Sequence, residues 1–393
     1  MNKTTSQRIV SLDILKGLVM ILMTLDHVRD YFHYDAFFYD PTDLSQTSPA
    51  LFLTRFVTHF CAPVFVMLAG TSAFLVGRRM SKNELSVWLL KRGLWLIFLE
   101  ITVIKFAWVF SLNLAPIWLG VIWAIGAGMI SLALFIRLPK FFSLGIAMLM
   151  IFGHNALDGF HPEGNEFIAS VWKLLHVRSE IFLGGLELRI IYPVIPWLGL
   201  MIIGYYFGSL YQPEFNRKQR LRILLYSGIS CLLLFVVLRF DNFYGDPSPW
   251  IKQSSPVFSF LSFINVTKYP PSLLYLLITI GPSLLFLYLF EKLDFSWLKP
   301  VITIGRVPMF WYIVHLFVIH FVAIIAAMLT GYKFSDMILT GFVTREPHLK
   351  GYGFELWAVY LFWIGICLLL YPVSSWYANY KKTNRDKWWL SYL

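Results

Sequence analysis

Long, mostly apolar stretches recur from one end of this chain to the other, and they constrain the fold more than any motif. They run over 11–31, 55–76, 85–110, 116–137, 141–154, 190–211, 223–238, 269–290, 308–329 and 355–371. A backbone in hydrocarbon must satisfy its own hydrogen bonds, so stretches of this length are read as membrane-crossing helices. The expectation is an all-α polytopic bundle of about ten transmembrane helices. It forms a single domain over 1–393, with short tails at 1–10 and 372–393. Composition agrees: 58% of residues are hydrophobic and 14% charged, against about 25% charged in a soluble protein.

The formal net charge is +11, which by itself suggests a nucleic-acid partner. Its distribution excludes one. Lys3, Arg8, Arg78, Arg79, Lys82, Arg137, Lys140, Arg217, Lys218, Arg220, Arg222, Lys292, Lys299, Arg306, Lys381, Lys382, Arg385 and Lys387 sit in short loops and tails on one side. The long segments 155–189 (with Glu163), 239–268 and 330–354 fall on the other. That is the positive-inside pattern, so the partner is the lipid bilayer and both termini are expected in the cytoplasm. The expected location is the inner (plasma) membrane, crossed many times. Cys61, Cys231 and Cys367 form no CxxC pair, so neither a disulfide framework nor a thiolate zinc site is implied. The first apolar run lacks a small-residue cleavage site after it and reads as a retained helix.

That first stretch, SLDILKGLVMILMTLDHVRDYFH from Ser11 to His33, ends in a dense polar cluster. Lys16 and His27 are eleven residues apart, hence within about 20° of one helical face and about 16 Å apart along the axis. Asp13 lies within about 40° of the same line. Ionisable groups at membrane depth point to function. Arg55 and His59, four apart, share a helical face and can join Asp26 and His27 in a cluster where a carboxylate orients an imidazole base. Lys268 and Tyr269, ahead of Pro270 and Pro271, place a cation and a phenol at the outer mouth of a helix. Gly305, Arg306 and Pro308 read as a cytoplasmic helix start suited to phosphate. His315 lies deep in the helix that follows and needs a partner, whereas His320 is about 140° round from it. The other histidines fall at outer helix ends or outside. No HExxH and no tight His/Asp trio is present, so no metal site is expected, and no Gly-rich phosphate loop is seen.

SLDILKG followed by His27 resembles the first helix of the membrane acyltransferases. In the broad acyltransferase-3 group an Arg, ten residues and a catalytic His recur; Lys16 and His27 occupy those places here. The fuller similarity is to bacterial relatives of heparan-alpha-glucosaminide N-acetyltransferase. It is carried by THFCAPVFVMLAG at 58–70, YPVIPWLGLMIIGYYFG at 192–208, KYPPSLLYLL at 268–277 and GRVPMFWYIVHLFVIH at 305–320. The resemblance implies a helical transferase that moves an acetyl group from cytoplasmic acetyl-CoA to an acceptor, often a sugar or glycan, on the far side. No cofactor is held permanently; acetyl-CoA is the co-substrate.

On that reading His27 is the general base or is transiently acylated, and Asp26 orients it. His33 competes with His27 for the catalytic role, because the heparan-type branch can carry its working His slightly later. Lys16, Arg306 and His315 belong to the acyl donor. Arg29, Arg55, His59, Lys268 and Tyr269 belong to the acceptor. A homodimer is left open. The alternative is a transporter or lipid or glycan flippase using His and Asp for proton coupling; the absence of a clear inverted repeat and the one-sided His distribution favour the enzyme. A non-catalytic partner subunit is disfavoured by the polar content of the helices. The topology is checked by cysteine labelling: Ser170→Cys should react from outside and Asn216→Cys only after permeabilisation. Labelling of Asn216→Cys from outside overturns the orientation.

Overall fold

The structure, a computed structural model, describes residues 8–113, 115–162, 164–295, 297–384 and 386–391. Lys3, Glu163 and Arg385 therefore lie outside the described residues. The chain is mostly helical. Helix α1 (Val10–Phe32) has Asp13 in its first turn and Arg29 in its last, both signs complementing the helix dipole. It is buried on nearly every side, as expected of a helix that is apolar all round. It packs against α3 (Cys61–Gly77), α12 (Leu273–Lys292), α13 (Lys299–Arg306), α14 (Pro308–Leu329) and α15 (Leu356–Thr383), which makes it the axis of the bundle.

The helix expected over 55–76 starts earlier, at Pro49. Ser48 caps α2 (Pro49–Val57), and one 3₁₀ turn at Thr58–Phe60 joins it to α3. Arg55 and His59 therefore do not share one regular helical face. Ser81 and Glu84 form a capping box at the start of α4 (Lys82–Leu99). That helix passes through a π-helical turn, Glu100–Ile104, into α5 (Lys105–Val109). Pro116 does not open a helix. Ile117–Leu119 is instead a strand, β1, and helix α6 (Val121–Phe135) follows it, with backbone N–H groups of Gly120, Ile122 and Trp123 bonded to the Glu100 carboxylate.

Helix α7 (Lys140–Phe152) is followed by α8 (Glu166–His176), capped by Asn165. The all-α expectation then needs correction. Strands β2 (Ser179–Leu183) and β3 (Leu186–Ile190) form a hairpin, and β3 also pairs in parallel with β1. The resulting three-stranded sheet has the order β1-β3-β2. The remaining helices are α9 (Val194–Phe207), α10 (Arg217–Asp241) and α11 (Pro256–Ile264), ahead of α12 to α15. Pro270 and Pro271 stand before α12 rather than in its first turn, because Ser272 is its cap. Residues 299–306, expected in a connection, form α13. Gly305 and Arg306 thus end one helix rather than begin the next.

Among the described residues, six helical stretches are long and apolar enough to cross a membrane: Pro49–Gly77, Val194–Tyr211, Arg217–Asp241, Leu273–Lys292, Pro308–Leu329 and Leu356–Thr383. Val121–Phe135 and Lys140–Phe152 are shorter apolar helices. Close crossings hold the bundle, as glycines allow between membrane helices. A Cβ on Gly17 would stand 2.0 Å from the Val301 carbonyl oxygen, and one on Gly305 1.8 Å from that of Asp13. Both contacts are backbone, so neither neighbour can turn away. Gly305→Ala should therefore destabilise the protein by about 1–3 kcal/mol, the usual cost of over-packing. A lowered thermal unfolding midpoint in detergent checks it.

Candidate functional site

The outer end of α1 enters a cavity of about 830 Å³, a size suited to a small ligand. Its wall combines the end of α1, the loop after it, α2, β2 and β3, the segment before α12, and the loop after α14. Asp26, His27, Arg29, Arg55, Lys268 and Tyr269 all line it. Six of the residues singled out from sequence thus meet in one place, although they come from three separate parts of the chain.

Asp26 organises the ionic half of this site. Arg55 Nη1 lies 2.8 Å from both carboxylate oxygens, and Arg29 Nη1 lies 2.8 Å from Oδ1. The Thr58 hydroxyl donates to Oδ1 at 2.9 Å. Arg29 also pairs with Asp30 at 2.7 Å. Lys268 Nζ stands further off, 4.0 Å from Asp26 Oδ2. Asp26 therefore does not orient His27 as expected: its hydrogen bonds are with Arg55 and Thr58, and Arg29 adds an ion pair.

His27 is oriented by His315. Their Nδ1 and Nε2 atoms are 2.8 Å apart, and His315 Nδ1 lies 3.0 Å from the Trp311 carbonyl oxygen. A carbonyl only accepts, so His315 Nδ1 carries the proton. With both rings neutral, His315 Nε2 then accepts from His27 Nδ1–H, and His27 Nε2 is left with its lone pair. The His27 ring is also held edge-on by Trp108, centroids 4.7 Å apart, and by Tyr312 at 6.4 Å. The partner that His315 needed is thus His27. Trp311 Nε1–H donates to the Thr24 hydroxyl at 3.0 Å, which fixes α14 against α1 one turn below.

The other predicted residues lie elsewhere. His33 is buried; its Nδ1 accepts from the Asp35 N–H at 3.0 Å and caps a 3₁₀ turn. His59 is buried against Phe56 and Tyr275, and its Nδ1 has no hydrogen-bond partner among the described residues. Neither lines the cavity. Lys16 and Arg306 belong to the opposite end of α1, where Arg306 Nε is 3.7 Å from Asp13 Oδ2. Sequence reasoning missed Trp108, Tyr312, Arg178 and Glu100, which also line the cavity. Only Glu100 carried a signal, as a carboxylate in an apolar helix.

The site is a half-open cavity in a helical membrane protein, with the imidazole of His27 and a cluster of charged side chains in its wall. The family described as heparan-alpha-glucosaminide N-acetyltransferase, catalytic, matches residues 8–238. That is more than half of the chain, and the chain belongs to this family. It is accordingly a multi-pass membrane protein and a transferase of the acetyl-transferring kind. Asp26, His27, Arg29 and Arg55 lie inside the matched region; Lys268, Arg306 and His315 lie beyond it. No curated protein matches the chain.

The ion cluster carries a stability prediction. Asp26→Asn removes the carboxylate that two largely buried arginines share. Leaving buried charge uncompensated should cost about 3–5 kcal/mol, read as a lower unfolding midpoint even with no ligand present.

Proposed function

We propose that this protein transfers an acetyl group from cytoplasmic acetyl-CoA to a hydroxyl or amine of a sugar or other small acceptor on the opposite side of the membrane. The single observation that carries the reading is His27 at the cavity with its Nδ1 held by His315, which is held in turn by the Trp311 carbonyl, so that Nε2 of the neutral ring keeps its lone pair. An imidazole held this way accepts a proton from the acceptor while the acceptor attacks the thioester. His315 is the positioning residue that sets the tautomer and steadies the imidazolium. Arg29, Arg55, Lys268 and Tyr269 make the polar wall that receives the acceptor. His33 and His59 have no part in this reading, since both are buried away from the cavity.

The donor side follows from charge. Arg306 is part-exposed and only loosely paired with Asp13, which leaves it able to meet a CoA phosphate. Lys16, on the same stripe as His27, would guide the pantetheine arm. Ten spans with both termini inside fit this arrangement: α1, the continuous helix 82–109, Val121–Phe135 and Lys140–Phe152 add to the six long apolar stretches. Inner-membrane residence follows from the same orientation. A transporter reading has less support, because the His27–His315 pair ends on a backbone carbonyl rather than continuing along a relay across the bundle.

The test is thiol release from acetyl-CoA with glucosamine as acceptor, and with water alone. His27→Gln should bind acetyl-CoA as wild type does and lose about two or more orders of magnitude in rate, the scale of a general base. His315→Ala should lose part of the rate through the wrong tautomer. Full activity in His27→Gln, or no thiol release by the wild type under either condition, overturns the reading.

A further inference from the structure

Three cations stand around Asp26, and two of them are occupied. Arg55 bonds both carboxylate oxygens, and Arg29 bonds Asp30 and forms an ion pair with Asp26. Lys268 is different. Its residue is 8% exposed and lines the cavity with His27, yet its ammonium is 4.0 Å from the nearest carboxylate oxygen, beyond hydrogen-bonding distance. Of the three cations around Asp26, Lys268 is thus the one with no carboxylate oxygen within hydrogen-bonding distance.

The backbone around Lys268 is braced. Asp246 accepts from the Thr267 N–H at 2.8 Å, the Thr267 hydroxyl at 2.9 Å and the Ser272 hydroxyl at 2.6 Å. The Ser272 N–H closes back on the Thr267 carbonyl at 3.0 Å. One carboxylate thus grips both ends of the segment that presents Lys268. A cation on a braced backbone, standing over the Tyr269 ring at 5.2 Å from its centroid with no carboxylate within hydrogen-bonding distance, is placed to stabilise charge developing in a transition state.

We infer that Lys268 is a catalytic residue, whose ammonium holds the negative charge that develops on the acyl carbonyl oxygen. The inference rests on the acetyl-transfer reading. The acceptor O–H or N–H gives its proton to His27 Nε2 as its lone pair bonds to the acyl carbon. The carbonyl π pair moves onto oxygen, facing Lys268. When the C=O re-forms, the C–S bond breaks and the CoA thiolate takes the proton from His27.

The experiment measures kcat and KM for glucosamine, with acetyl-CoA as donor, in Lys268→Gln and Lys268→Arg. Lys268→Gln should lower kcat about 10²–10³-fold, the usual effect of losing such a donor, with acetyl-CoA binding little changed and any rise in KM for glucosamine much smaller than the fall in kcat. Lys268→Arg should recover part of the rate. Lys268→Gln should fold, because Asp26 keeps both arginines; should it not, Lys268→Arg carries the same kcat-against-KM test, as it keeps the charge but moves it. A raised KM with kcat intact would mean that Lys268 instead grips an acidic group on the acceptor. That result, or unchanged kcat and KM, overturns the inference. If His27→Gln is inactive while Lys268→Gln keeps its kcat, this inference alone fails; if His27→Gln is active, the acetyl-transfer reading has failed first.

Discussion

A single carboxylate, Asp26, joins the parts of this molecule that matter for its chemistry. Placing charge inside an apolar bundle is unfavourable unless it is paired and fully hydrogen-bonded. Asp26 meets that condition by drawing Arg29 from its own helix, Arg55 from α2 and Thr58 from the 3₁₀ turn onto its two oxygens. Arg55 and Thr58 are three apart and so reach the same carboxylate from one face of the chain, just ahead of the 3₁₀ turn at Thr58–Phe60. What the cluster provides is therefore architecture first. It binds α2 to α1 and forms the polar floor on which the cavity is built.

The proposed base lies on the adjacent face. Asp26 and His27 are neighbours in sequence, but successive residues on a helix diverge by about 100°. Asp26 faces the arginines while His27 faces α14 and meets His315. This division keeps the base out of the ion cluster. The cluster's charge reaches the cavity without capturing the imidazole that needs a free lone pair. The Trp311–Thr24 hydrogen bond holds the two helices in register one turn below, so the His27–His315 distance is set by packing rather than by the two side chains alone.

The apolar runs made the helices legible, and the lone histidine in an apolar helix made His315 legible as a residue in need of a partner. Which partner was not legible, because helical periodicity says which face a residue occupies and nothing about which helix faces it across 288 positions. The expectation that Asp26 orients His27 failed for a reason the sequence did contain: neighbours on a helix cannot share a face. The hairpin was also partly readable. Gly184–Gly185 sits between two short runs, both glycines with positive φ, a recognised hairpin signal. The placement of β1 was not readable, since it depends on Glu100 bonding the N–H groups that begin α6. Outer loops assemble the cavity from distant parts of the chain, and no local pattern encodes that.

The two ends of α1 are asymmetric, and the stretch between them sets a condition on the proposed reaction. The face that carries Lys16 and His27 also carries Met20 and Met23, which lie within about 40° of the same line. Both are buried, at 3% and 5% exposure. A donor arriving from the Arg306 end reaches His27 along this stripe only by displacing those two side chains. Methionine is unbranched and adaptable, so it is the residue whose displacement strains a packed core least. A leucine or isoleucine stripe would close the route by shape. The sequence places soft side chains between the end that suits a phosphate and the end that holds the base, and rigid backbone contacts, Gly17 on Val301 and Gly305 on Asp13, on the side where α13 must stay in place.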